Sequence, residues 1–286
     1  MAPPVRVRRV LWVEGKDDSA VTQSLCAEHE IPEVFKVQAK NGVDEVLNTF
    51  FTGLRAPDAE RFGLIVDANG NAQARWDSIR GTLVAEGYID VPEGLSRDGM
   101  IVPGTPHRPL FGAWIMPDNG STGALEDFAA ELVPAGDTLW TRAGETVDAI
   151  SEQERRFPEV RRSKAHMHTW LAWQEHPGSP MGQAIGKGDL DAQAPAAQRF
   201  VAWLRRMMVD DSRRRARHRE PDAAHHRRGK GDGDARRDKR RSAARVGHLP
   251  ARVISGNLEK STRRPRLPQA GPSQSRRGMS LPRPDQ

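Results

Sequence analysis

The chain of 286 residues has one cysteine, Cys26, one tyrosine, Tyr88, and no apolar run near the roughly 18 residues that a membrane-spanning helix needs. A lone thiol excludes a disulfide framework and a cysteine-based zinc cluster, and it suits a reducing compartment. The first nine residues are basic, but only Val10 to Val13 follow as an apolar stretch before Glu14, too short for the core of a signal peptide. The expected setting is cytoplasmic, away from membranes. Aromatic residues are missing altogether from residues 210–286, where eight Val, Leu, Ile or Met are all that 77 residues offer to a core. That segment is expected to remain disordered. Charge divides at the same place: residues 1–209 hold 22 Lys and Arg against 29 Asp and Glu, whereas residues 210–286 hold 22 against 9. The chain is therefore read as one folded, acidic domain over 1–209 and a basic Arg- and Pro-rich tail over 210–286. This composition excludes a two-domain globular enzyme and a wholly disordered basic protein. The tail suits either a disordered nucleic-acid arm or a stretch translated in the wrong frame of a GC-rich gene.

Within the body, short apolar runs alternate with amphipathic segments, the pattern of a sheet with crossover helices. Val10 to Val13 reads as a buried strand that stops at Glu14-Gly15, and Asp17 or Asp18 can cap a helix running to Glu28. Glu33 to Ala39 is a weaker strand. Val43, Val46, Leu47, Phe50, Phe51 and Leu54 recur at a spacing that only a helix places on one face. Phe62 to Val66 is the next strand, and Trp76, Ile79 and Leu83 mark a helix that stops at Gly87. A Pro- and Gly-rich connection leads through Pro109 to a strand over Phe111 to Met116, followed by a helix with Leu125, Phe128, Ala129 and Leu132 inward. Two further helices are expected at about Val160 to Gln174 and Ala196 to Met208, with a loop from His176 to Pro195 between them. The fold class is α/β: a mostly parallel sheet of about four strands, helices on both faces, and C-terminal helices.

In such a sheet, ligands gather outside the carboxyl ends of the strands. Three strands here lead into acids: Glu14, Asp67 and Asp118. Each acid alone is most simply the cap of the helix that follows. Together they are like charges that repel unless a cation lies among them or one is protonated. Oxygen donors of this kind suit magnesium or manganese, which leave waters for a phosphate to displace.

The residues around these positions carry a resemblance. Leu11-Trp12-Val13-Glu14-Gly15-Lys16-Asp17-Asp18 is similar to the first motif of the Toprim superfamily, shared by topoisomerases, bacterial primases, maturation ribonucleases and nucleases of the overcoming-lysogenization-defect family. Asp67-Ala68-Asn69 stands where Toprim proteins carry an Asp-x-Asp pair. Trp114 to Gly120, Leu125-Glu126-Asp127, His168 to Gln174 and Pro195 to Gln198 resemble an uncharacterised bacterial Toprim-like family, a domain of unknown function. The likeness covers about residues 5–208. It implies Glu14 as general acid/base or metal ligand and Asp67 as a direct ligand of Mg2+ or Mn2+. Asn69 departs from the pattern: its carbonyl oxygen can still face a cation, but one negative charge is gone. Asp118 first, then Glu126 and Asp127, are the candidates to replace it, although Glu126 and Asp127 equally suit the first turn of an exposed helix. Lys16 either neutralises a phosphate or is merely solvated.

Other features are read more plainly. Lys164, His166 and His168 form the one basic cluster of the body within reach of a nucleic acid, with His166 expected to be a satisfied core histidine. Trp170, Trp173 and Trp203 are expected in the core, as is Cys26. Gly182, Gly186, Lys187 and Gly188 fail the phosphate-loop spacing, so ATPase activity would have to come from a partner. The resemblance thus implies a Toprim-type nuclease that cleaves phosphodiester bonds of DNA or RNA with a divalent metal, in phage defence or nucleic-acid maintenance, beside an AAA-type ATPase. The alternative is a catalytically degenerate Toprim-like binding subunit of an ATPase or nuclease complex.

Overall fold

A computed structural model describes residues 8–210, and the 211–286 tail therefore lies outside the described residues. The first six elements alternate: β1 (Arg9–Val13), α1 (Lys16–Glu28), β2 (Lys36–Ala39), α2 (Val43–Leu54), β3 (Arg61–Asp67) and α3 (Ala72–Ala85). Then come β4 (Met100–Val102), β5 (Leu110–Met116), α4 (Leu125–Ala130), α5 (Thr138–Asp148), α6 (Arg162–Leu171), α7 (Met181–Lys187) and α8 (Pro195–Leu204), which ends in a wide turn over Arg205–Val209. The sheet has five strands in the order β2-β1-β3-β5-β4, parallel throughout except for β4, which runs antiparallel to β5. The expected α/β architecture holds, with one strand more than the sequence showed. That strand, β4, is three residues at the edge of the sheet, inside the segment read as a Pro- and Gly-rich connection and too short to display a period.

The central strands β3 and β5 are apolar on both sides because both faces are covered. Phe62, Leu64 and Val66 face the core formed with Val46, Phe50 and Leu54 of α2 and Trp76, Ile79 and Leu83 of α3. Ile65, Trp114 and Met116 face the other core, built with α1, α4 and the C-terminal helices. The parity of β3 thus sends Asp67 to the same side as Ile65, toward α1 and α4.

Two glycines in register, Gly63 of β3 and Gly112 of β5, make room for the end of the domain. A Cβ at Gly112 would stand 2.5 Å from Met207 Sδ, and one at Gly63 would stand 2.8 Å from Met208 Cε. The same turn is fastened electrostatically. Buried Arg61, at the start of β3, donates to the carbonyls of Met207 and Asp210, both at 2.6 Å, and Arg9 Nη1 donates to that of Met208 at 2.8 Å.

Three local expectations need correction. α5 was not anticipated, and α7 lies inside the stretch read as a loop from His176 to Pro195. Trp173 is 37% exposed, whereas Trp170 and Trp203 are fully buried. The reason is that α6 ends at Leu171, so Trp173 falls outside the helical face that would have turned it inward.

Candidate functional site

The carboxyl ends of β1 and β3 and the first turns of α1 and α4 bring four acids to one edge of the sheet. Asp18 has a local duty: its Oδ2 accepts the Gly15 N–H at 3.1 Å, closing the first turn of α1. Its Oδ1, in a side chain only 7% exposed, has no hydrogen-bond partner. Glu14 reaches across to the neighbouring strand, where its Oε1 accepts the Asp67 N–H at 2.8 Å. The backbone of Leu125 acts to lower the pKa of Asp67, yet its Oδ1 is buried without a partner. Glu126, buried in the first turn of α4, is paired with the ammonium of Lys164.

Burial and mutual repulsion leave Glu14, Asp18 and Asp67 reluctant to ionise. Desolvation and then the charge of Asp67 push Glu14 up to about 7. Asp18 is pushed to about 7 by desolvation and then by Glu14. Asp67 also rises to about 7, through desolvation, Asp18 and Glu126, against the lowering influence of the Leu125 backbone and Lys164. Near neutrality the cluster must therefore hold protons or take up positive charge beyond the one ammonium.

Of the residues picked from sequence, Glu14, Asp67, Glu126 and Lys164 meet here. Lys164 neutralises Glu126, and that pairing raises its own pKa although burial acts to lower it. Asp118 is engaged elsewhere, with Arg97 in an ion pair and with the Ser121 N–H at 2.7 Å and Ser121 Oγ at 3.0 Å. Burial would raise its pKa, but these bonds hold it below the ordinary value. The strongest charges acting on Glu14, Asp18 and Asp67 do not include Asp118.

Asn69 is exposed and left-handed, with φ of +50°, a conformation that Asn tolerates well. Its backbone exchanges two hydrogen bonds with Gly123, at 2.8 and 2.9 Å, and so ties the β3–α3 loop to the β5–α4 loop. Asp127 closes the first turn of α4 by accepting the Ala124 N–H at 2.8 Å. Lys16 is the exposed first residue of α1. The residue that sequence reasoning missed is Asp18, which was seen as a cap alone. Its spacing of four from Glu14, across the Gly15 turn, was the available signal.

The remaining candidates have structural work. His166 is stacked on Trp140 at 3.6 Å and its Nε2 is hydrogen-bonded to the Trp140 carbonyl at 2.8 Å, a satisfied histidine but half-buried rather than in the core. Half-buried Cys26 packs against the core, and burial pushes its thiol up to about 11. Gly182 meets Ala20 of α1 so closely that a Cβ there would stand 2.8 Å from it, and Lys187 Nζ donates to Ser179 Oγ at 2.9 Å, which leaves no phosphate loop at α7. A cavity of about 1030 Å³ opens beside Arg9 and Lys36, at the opposite ends of the strands from the four acids.

Among the described residues, no three His, Cys, Asp or Glu side chains are placed to hold a metal ion together. None of the described helices is long and apolar enough to cross a membrane. A family model described as "Protein of unknown function (DUF3226)" matches residues 8–209, and the chain belongs to that family. No curated protein and no solved structure matches it.

Proposed function

We propose that this member of the DUF3226 family is a Toprim-like nuclease, cytoplasmic, that cleaves phosphodiester bonds of DNA or RNA with the help of a divalent metal. The observation that carries the reading is the buried Oδ1 of Asp67, which has no partner although it stands beside Glu14, Asp18 and Glu126. Leaving a buried charged oxygen unpaired costs free energy that a bound cation would recover. The donor chemistry fits Mg2+ or Mn2+, which bind through one or two carboxylates and otherwise through water and phosphate oxygens, so a cage of three protein donors is not required. Asp67 and Glu14 would hold the ion, with the exposed Asn69 amide as an outer oxygen donor. When bound, such an ion supplies charge stabilisation to phosphoryl oxygens and lowers the pKa of an attacking water.

The chain's own groups have separable duties. Asp67 N–H fixes Glu14 through Oε1, which leaves Oε2 to accept or return a proton. Lys164 keeps Glu126 from adding its full charge to the cluster. Lys16, at the exposed start of α1, is placed to meet a phosphate of the substrate. The test is cleavage by the full chain of plasmid DNA, single-stranded DNA and RNA, with Mg2+ or Mn2+. Metal-dependent cleavage that disappears in both Glu14→Gln and Asp67→Asn supports the reading, and cleavage that survives Glu14→Gln refutes it.

A second reading is favoured by Asn69. Its backbone serves as a loop tie and the charge of an Asp-x-Asp pair is missing, as expected of a non-catalytic binding subunit for an AAA-type ATPase or a nuclease in phage defence. Asn69→Asp discriminates: cleavage gained by that variant, and absent from the natural chain, identifies a decayed site.

A further inference from the structure

A second feature of the same sheet edge lies toward α3. A cleft of about 400 Å³ opens between the β3–α3 and β5–α4 loops, and its lining includes Gly70, Ala72, Gln73, Arg97 and Asn119 but no acidic residue. Its walls present donors. In α3, the Asn71 side chain accepts the Ala74 N–H at 2.9 Å, so the N–H groups of Ala72 and Gln73 remain without an intrahelical acceptor. The first turn of this 14-residue helix carries no acid to neutralise its positive end.

Two further groups, from other parts of the chain, add to this. Asn119 is 1% exposed; its Oδ1 accepts the Ile115 N–H at 2.7 Å, while its Nδ2 is buried and has nothing to donate to. A buried donor left unmatched is destabilising, and a bound anion would relieve it. The guanidinium of Arg97 is held at the rim by Asp118, which engages Nη1 alone. Gly120 permits this placement, since a Cβ there would stand 2.8 Å from Arg97 Cζ.

We infer that this cleft is an anion subsite that takes a phosphate group, with the Ala72 and Gln73 N–H groups, Asn119 Nδ2 and Arg97 as its donors. Phosphate suits the set because three or more convergent donors match its several oxygens, and because helix N-termini bind such groups. The source is a backbone phosphate of the nucleic-acid substrate next to the one being cleaved. The segment Asp67 to Gly70 runs directly from the carboxylate cluster into the cleft. For that source the inference rests on the proposed nuclease reading; for the anion itself it does not.

The experiment is a titration of the full chain, labelled with 15N, with inorganic phosphate at constant ionic strength in chloride. The amides of Ala72 and Gln73 and the side-chain NH2 of Asn119 should shift together and saturate in the millimolar range. Gln73 and Arg97 have exposed side chains, so Gln73→Glu and Arg97→Ala should fold; each should weaken the binding by about tenfold or more, the worth of one charge-assisted hydrogen bond. No saturable shift at these three groups, or unchanged affinity in both variants, overturns the subsite. A dinucleotide with one internal phosphodiester and no terminal phosphate tests the source: shifts of the same groups support the nucleic-acid backbone, and their absence overturns that assignment while free phosphate still binds. Failure of the nuclease reading is seen separately, as cleavage that does not depend on Glu14.

Discussion

Replacing Asp18 by Asn should stabilise the protein at alkaline pH. Asp18 is pushed from an ordinary 3.8 to about 7, first by desolvation and then by the charge of Glu14. The folded state thus keeps a proton that the unfolded chain releases near pH 4, and stability contributed by this group falls as pH rises from about 4 to about 7. A shift of about three units corresponds to a ceiling of roughly 4 kcal/mol at pH 8. Part of that belongs to the coupling with Glu14, and an amide oxygen is a weaker acceptor for the Gly15 N–H, a loss of about 1 kcal/mol. The Asn Nδ2 would stand in place of the unpartnered Oδ1 and donate where the acid could only repel. The expected net gain is therefore about 1–3 kcal/mol at pH 8, and smaller by about 1–2 kcal/mol at pH 5, where the folded acid is protonated although the unfolded one is already ionised. Urea unfolding of the full chain, followed by tryptophan fluorescence at both pH values without added metal, reads this directly. A destabilised Asp18→Asn at pH 8, or an equal change at both pH values, would refute the burial argument.

Glycine substitutions should separate by what their Cβ meets. Gly112→Ala, pressed against Met207 Sδ at 2.5 Å and Met207 Cγ at 2.9 Å, should cost about 1–3 kcal/mol, and Gly63→Ala less, because it meets only the flexible ends of Leu11 and Met208. Gly81→Ala, inside α3 with nothing within 4 Å, should instead gain about 0.5–1 kcal/mol; thermal melts of the three variants check the order. Cys26, with its thiol near 11, should react with iodoacetamide at pH 8 roughly a hundredfold more slowly than a free cysteine, and denaturation should remove the difference.

The parts of the fold that were legible in sequence are those whose burial repeats over several residues. Phe62 to Val66 is apolar throughout because β3 is covered on both faces, and the α2 face recurs from Val43 to Leu54. β4 could not be read because three residues at an edge carry no period, and α7 because its residues, Met-Gly-Gln-Ala-Ile-Gly-Lys, are those of a turn as much as of a helix. α5 was legible in principle. Asp137 caps it by accepting the Trp140 N–H at 2.9 Å, and Leu139, Ala143 and Val147 follow at a spacing of four. In the site, Asp67 closes β3, so the pleat fixes the face on which its side chain lies. Asp118 stands two residues beyond the end of β5, where parity no longer applies, and its partners Arg97 and Ser121 come from loop geometry that spacing does not encode.

The fastening of Met207 and Met208 over Gly63 and Gly112 also orders the chain's birth. While the protein is being synthesised, every strand of the sheet exists once residue 116 has left the ribosome, yet the groove along the two glycines stays open for some ninety residues more. Only when Met207, Met208 and Asp210 emerge can Arg61 and Arg9 find the carbonyls that they hold. Covering of this face thus waits for the domain's last turn, and a nascent chain stalled before that turn would leave an apolar seam along Gly63 and Gly112 uncovered.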